Sequence, residues 1–172
     1  MTVNGTVWQN RIVGYGEEDP AQLVANPRNV RIHPREQQDA LSGVLESVGV
    51  VQNVLVNQST NTLVDGHMRV MLAMRAGQPT IPVTYVNLTP QEEALILASF
   101  DPISAMAATD DELLAELLAE IDTDNLAVRA FLSDLAEDRG IDAPEFTLSN
   151  LQDRGDFDKK PLTTCPQCGH AF

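Results

Sequence analysis

Leu63-Val64-Asp65-Gly66-His67-Met68-Arg69-Val70-Met71-Leu72 is the stretch whose reading decides the fold. A short apolar run stops at Asp65-Gly66, and a helical pattern begins almost at once, with Met68, Met71 and Leu72 at i, i+3 and i+4 and Gly77 placed to end the helix. A strand that turns on a glycine into a helix leaves the first backbone N–H groups of that helix without partners. Hydrogen bonding and the helix dipole then both favour an anion at the turn. Arg69 falls in the first helical turn and adds a full positive charge. No other stretch of the chain offers a phosphate this combination.

The flanking segments supply the rest of an α/β unit. On the N-terminal side, residues 50–56 (VVQNVLV) read as a buried strand and QSTN as a turn into residues 62–64. Leu41, Val44, Leu45 and Val48 fall at i, i+3, i+4 and i+7 before Gly49, which predicts a helix over 37–48. Residues 7–24 read as extended around the acidic turn GEEDP, and ANPRNVRIHPR is too rich in proline, asparagine and arginine for a regular element. On the C-terminal side, TIPVTYV (80–86) alternates Ile81, Val83 and Tyr85 on one face, and Pro82 argues for a sheet edge.

Beyond the sheet the pattern turns helical. Thr89, Pro90 and Glu92 form a capping box with proline at the first helical position, and Thr109 to Glu112 repeats the device. The second helix carries Leu114, Leu117, Leu118 and Ile121; a third carries Val128, Phe131, Leu132 and Leu135 and ends at Gly140. Both are acidic outside and aliphatic inside, as in a helical hairpin that packs on the domain or pairs with another copy as a homodimer. The pattern dissolves after Ala143, and the chain closes with CPQCGHAF. The organisation expected is therefore an α/β (α+β) domain over 1–102, with a small mixed sheet and packed helices, then an acidic helical extension over 103–143. Residues 144–172 form a linker and CxxC tail.

Composition narrows the function classes. The 172 residues are 43% apolar and 5% aromatic, which suits an aliphatic globular core. No run of about 18 apolar residues suggests a membrane span, and the start MTVNGTVWQNR lacks the basic-then-apolar pattern of a secretory signal. Two cysteines do not make a disulfide framework, so a cytoplasmic location is expected. The net charge of −14 is uneven: residues 1–90 hold six arginines and seven acids, whereas residues 91–172 hold five basic residues and eighteen acids. An acidic second half repels a phosphate backbone. The N-terminal arginines Arg28, Arg31, Arg35, Arg69 and Arg75 could form a local phosphate-binding face, with Arg35 and Arg75 better read as solvated surface charges.

In this order, NPRNVRIHPREQQDALSGVLESVGVVQNVLV resembles the first box, and LVDGHMRVMLAMRAGQPTIPVTYV the second box, of the ParB N-terminal domain family, whose fold is shared by sulfiredoxin and an archaeal free serine kinase. The resemblance covers about residues 10–102. A similar arrangement with an acidic helical extension appears beside DNA methyltransferases in phages and prophages, where the host cytoplasm would be the location. The resemblance implies a ParB/sulfiredoxin-like fold with a nucleotide site for ATP or CTP with Mg2+. Gly66, His67, Met68 and Arg69 would wrap the phosphates, and Asn26 and Arg28 would close the pocket from the other side. His67-Met68 replaces the Glu-Arg of the family's GERR turn, and ALILASFDPIS stands where partition ParB carries its asparagine motif. Sulfiredoxin chemistry needs a cysteine where His67 stands, so it is set aside; the serine kinase turn, Asp-Gly-His followed by Arg, is closer.

Phosphoryl transfer needs positioning and charge neutralisation more than covalent catalysis. Asp65 is a candidate metal ligand or base, or else a helix cap. His67 is a candidate hydrogen-bond donor or proton acceptor, or else an exposed side chain at a helix start. His33, beside Pro34, is near enough in sequence to face the same pocket. Cys165 and Cys168 are half of a zinc ribbon, with His170 a possible third Zn2+ ligand and the remainder due from elsewhere. These features point to a ParB-like nucleotide-binding NTPase or phosphotransferase in phage or mobile-element DNA metabolism. The competing class is a non-catalytic adaptor that positions a DNA methyltransferase or other DNA-modifying partner. A nuclease is disfavoured, because two-metal cleavage needs several acidic ligands and residues 60–70 hold only Asp65.

The charge distribution generates a first prediction. At about 0.15 M salt, where exposed charges are screened over about 8 Å, gel-shift titration of the chain with bare duplex DNA should give binding weaker than about 1 µM. Tighter binding would show that the N-terminal arginines prevail over the acidic half.

Overall fold

A computed structural model describes residues 7–142. Strand β1 (Ile12–Glu18) leads through a 3-10 turn (Pro20–Gln22) and a loop into helix α1 (Arg35–Val48). Then come β2 (Val54–Asn57), β3 (Thr62–Asp65), α2 (His67–Arg75) and β4 (Ile81–Val86), followed by α3 (Pro90–Ser104), α4 (Asp111–Glu120) and α5 (Leu126–Arg139). The sheet order is β1-β4-β2-β3. β2 and β3 form an antiparallel hairpin, β2 and β4 run parallel, and β1 joins β4 antiparallel. This is the mixed α/β architecture expected. Among the described residues no helix is long and apolar enough to cross a membrane.

The first core lies between the sheet and α2. Val54, Val56, Leu63, Ile81 and Val83 from the strands pack on Val70 and Ala73 of α2, with Leu23 and Tyr85 at the margin. β4 therefore lies inside the sheet, contrary to the edge position that Pro82 suggested. The parallel ladder begins at Val54 opposite Val83, one residue past Pro82, so the missing N–H costs no bond in it. The same limit shortens β2 relative to the expected run 50–56: Val51 is 81% exposed because no paired residue of β4 lies beside it. The extended reading of 7–24 reduces to β1, since Asp19 caps the 3-10 turn through its side chain.

The second core joins α4 and α5, through Leu118, Val128, Leu132 and Ala136, with Leu114 and Ile141 beside them. α4 is capped by Asp110, which accepts from the N–H groups of Glu112 and Leu113, rather than by Thr109. An aspartate next to the first turn reaches two donors at once and suits the positive helix end. Leu117 (59% exposed) and Phe131 (49% exposed) face outward, although the aliphatic stripe placed them inside, because a two-helix layer has only one covered face. α5 packs on α1 at Gly43, where an added Cβ would lie 2.5 Å from Asn125 Oδ1 and 2.7 Å from Val128 Cγ2.

One buried carboxylate ties the elements together. Thr89 and Glu92 complete the predicted capping box at the start of α3, which turns Glu93 inward until it is only 1% exposed. Its oxygens accept from Asn57 (2.6 Å), Thr60 (2.6 Å), Asn26 (2.9 Å) and Arg28 (2.5 Å). Burial by itself raises the carboxyl pKa, but these donors outweigh it and bring it down to about 2.

Two predictions follow from this packing. Gly43→Leu should cost about 1–3 kcal/mol by overpacking and should loosen α5, read as faster amide exchange in residues 126–139 at unchanged exchange in the sheet. Glu93→Gln leaves donors facing an amide and should cost roughly 3 kcal/mol. The depressed carboxyl makes its stabilisation complete above the ordinary value of 4.5 and lost as pH falls towards about 2. Urea titrations between pH 6 and pH 2 should show that acid-side loss in the wild type and a flatter profile in the variant.

Candidate functional site

β3 ends at Asp65, and Gly66 reverses the chain into α2 at φ 91°, ψ 16°. The left-handed backbone favours glycine. The packing requires it as well, since a Cβ at this position would stand 2.6 Å from Val54 Cγ1. No side chain caps α2, so its first N–H groups keep their capacity for an anion. The turn lines a cleft of about 250 Å3 whose other walls include Arg31, His33, Gln37 and Asp101.

Asp65 does not cap the helix. Its two oxygens are taken by arginines, one by Arg31 and one by Arg69, each at 2.8 Å. Burial raises its pKa, but the hydrogen bond and charge of Arg31 and of Arg69 more than reverse this and hold the carboxylate below its ordinary range. Arg31 also pairs through Nε with Asp101 on α3. Arg69 reaches further to Gln52 Oε1 (3.1 Å) and the Asn53 carbonyl (3.4 Å). The Nε of Arg69 is buried with no partner among the described residues, and so is the Nδ1 of His67.

His67 is not the exposed helix-start side chain that was one of its two readings. Its ring is half-buried, and Nε2 accepts the backbone N–H of Asn26 at 3.2 Å. Burial lowers its pKa, Arg31 and His33 lower it further, and the opposing effect of Asp65 is too small to compensate. The ring is therefore neutral at neutral pH.

The residues expected at the site divide into two groups. Asp65, Gly66, His67, Met68 and Arg69 line one continuous wall of the cleft. The side chain of Asn26 is spent on Glu93 and Thr62, so only its backbone reaches the site. The guanidinium of Arg28 is directed at Glu93 and the Pro90 carbonyl and does not line the cleft. Arg35 lies along α1 near Asp39, and Arg75 donates to Gln38, so neither lines the cleft. Arg31 and His33 were visible as parts of the ANPRNVRIHPR segment, and both reach the cleft. Asp101 was not visible: it is a lone acid in ALILASFDPIS, and no spacing in the sequence connects it to Arg31. The expected zinc ligands Cys165, Cys168 and His170 lie outside the described residues. Among those described, no group of three or more His, Cys, Asp or Glu side chains could hold a metal ion.

No protein-family model matches the chain, and no curated protein matches it. Solved structures do. The C-terminally truncated chromosome-partitioning protein ParB from Caulobacter crescentus, complexed with CTP-γ-S, is 26% identical with a TM-score of 0.51, covering 63% of this chain and 64% of that one. The chain thus spans just under two thirds of that ParB. A Pnob8-like ParB-N domain is 11% identical at a TM-score of 0.45, covering 76% and 65% of the two chains. The Caulobacter crescentus ParB complexed to the centromeric parS site is 21% identical at 0.39, covering 73% and 58%. With a four-stranded mixed sheet and five α-helices among the described residues, the chain has a ParB-like fold.

Proposed function

We propose that the cleft at the Asp65–Arg69 turn binds the phosphates of a nucleotide, CTP or ATP with Mg2+, and that the protein works as a nucleotide-binding component of phage or mobile-element DNA metabolism. The observation that carries this reading is the uncapped start of α2 at Gly66, flanked by the guanidiniums of Arg31 and Arg69. Backbone donors at a helix start and two arginines match the charge and geometry of a polyphosphate. The 26% identical ParB, which holds CTP-γ-S, supports the choice of nucleotide. Asp65 has both oxygens on arginines, so of the two cleft carboxylates Asp101, the more exposed, is the one that would reach Mg2+ carried on the phosphates. When bound there it would neutralise phosphate charge. The chain's own residues hold and orient the phosphates: the α2 N–H groups and Arg69 from one side, Arg31 from the other.

Two readings of the bound nucleotide differ in what happens next. In an NTPase or phosphotransferase, Asp65 or His67 would accept a proton from the attacking group. In an adaptor, nucleotide binding sets a conformation that engages a DNA-modifying partner such as a methyltransferase, without turnover. The pairing of both Asp65 oxygens with arginines favours the adaptor, because a carboxylate held below its ordinary pKa is a weak base.

Thermal melting tests the site. Ligand at about 100 times its Kd stabilises the native state by about 2.7 kcal/mol, so CTP or ATP with Mg2+ should raise the Tm by several degrees. Arg69→Ala and Arg31→Ala should each abolish the rise, and full responses in both variants would sink the assignment. Release or transfer of labelled γ-phosphate, with DNA, nucleosides and serine as acceptors, then separates the two readings. Asp65→Asn and His67→Ala lower turnover by about a hundredfold in the enzyme, whereas intact binding without any turnover in the wild type establishes the adaptor.

A further inference from the structure

A buried hydrogen-bonding atom with no partner is destabilising and calls for an explanation. His67 Nδ1 is such an atom, on a residue that lines the cleft. Its protonation follows from the other side of the ring. The Asn26 backbone N–H can only donate, so the Nε2 atom that receives it must carry a lone pair. In a neutral imidazole the single proton is then on Nδ1. Turning the ring over would set a carbon against the Asn26 N–H, so the same bond fixes the ring's orientation as well as its tautomer.

Asn26 is held with unusual completeness. It is buried, its Nδ2 donates to Glu93 (2.9 Å) and Thr62 (3.3 Å), and its Oδ1 accepts the Arg28 N–H (3.0 Å). Its carbonyl accepts the N–H of Asn29 at 3.0 Å. Every polar group of the residue is engaged, and the backbone N–H is the one aimed at the cleft histidine. The buried Glu93 that organises the fold is thus two hydrogen bonds away from the candidate site.

We infer that His67 binds the anion as a donor through a protonated Nδ1, and that the buried Asn26–Glu93 pair is the positioning element that locks this tautomer. The inference rests on the phosphate reading of the cleft. It also assigns His67 a role that excludes another: with Nε2 occupied and Nδ1 protonated, the ring has no free lone pair in the cleft and does not act as a base. Asn26 and Glu93 are positioning residues, acting on the ligand only through His67.

Long-range proton–nitrogen correlation spectra of the 15N-labelled full chain near pH 7.5 read the tautomer without any ligand. The His67 signals, identified by their loss in His67→Asn, should show a hydrogen-bearing Nδ1 and an unprotonated Nε2; the reverse pattern overturns the proposal. Binding of CTP and of inorganic pyrophosphate by His67→Asn and His67→Gln supplies the second reading. Asparagine places its amide near the Nδ1 position and should stay within about threefold of wild type. Glutamine reaches the Nε2 position and should lose about tenfold or more, the scale of one hydrogen bond to a charged group. The opposite order would mean that only the structural bond to Asn26 matters, and would overturn the donor role. Asn26→Ala, confirmed as folded by its melting transition, should shift the proton towards Nε2 and weaken binding; an unchanged tautomer and affinity would remove the Asn26–Glu93 pair from the proposal. If wild type binds neither CTP, ATP nor pyrophosphate, the phosphate reading of the cleft has failed, while the tautomer spectrum still decides the lock.

Discussion

A carboxylate withdrawn from water has to be surrounded by donors or give up its charge, and Glu93 of this protein is surrounded. The donors come from the loop before α1, from β2 and from the turn into β3. The loop and the turn are too short and too polar to be held by hydrophobic burial, whereas β2 is anchored independently by Val54 and Val56 in the core. Asn57 carries the constraint further, because its amide also bonds both the N–H and the carbonyl of Leu88 at the exit from β4. A single ionised side chain at the start of α3 thereby fixes the position of α3 against the hairpin and of the irregular Asn26–Arg28 loop against both. Such a network is costly if incomplete and rigid when complete.

The rigidity extends into the cleft. Gly66 can press its backbone against Val54 only because it has no Cβ, and that contact brings the start of α2 up against β2. Across from it, the loop carrying Arg31 is tethered at Asn26. The cleft is thus built between two close approaches, one made by a glycine and one by a buried amide. Preorganisation of this kind lowers the entropy a ligand must offset on binding.

Charge in the cleft is nearly balanced, with Arg31 and Arg69 set against Asp65 and Asp101 and His67 neutral. Arg31 is shared between two carboxylates on different elements. An anion entering beside it competes with Asp101, the more exposed of the two, for the outer side of the guanidinium. The acidic surface of the second half does not cancel this local arrangement, because exposed charges more than about 8–10 Å away are screened at physiological salt. Local geometry, and not the net charge of −14, governs what the turn can hold.

Periodicity and local stereochemistry were enough to read α1, α2, the capping box of α3 and the glycine-led turn, because each depends on contacts within a few residues. The turn residues Asp65 to Arg69 are adjacent in sequence and so were legible as one site. Pro82 misled about the sheet edge, since where a parallel ladder starts depends on a partner strand that local sequence does not name. Asn26 and Arg28 were legible as special residues but not in what they touch, and Asp101 and Glu93 were not legible at all. Their partners lie on other elements, and only the crossing of α3 over the hairpin brings them within bonding distance. The sequence by itself determined the helices of the domain and the anion-favouring turn, through hydrogen bonds and steric limits that act along the chain. The tertiary structure alone decided the charge state of Glu93, the pairing of Asp65 and the orientation of His67, because burial and long-range donors set those properties.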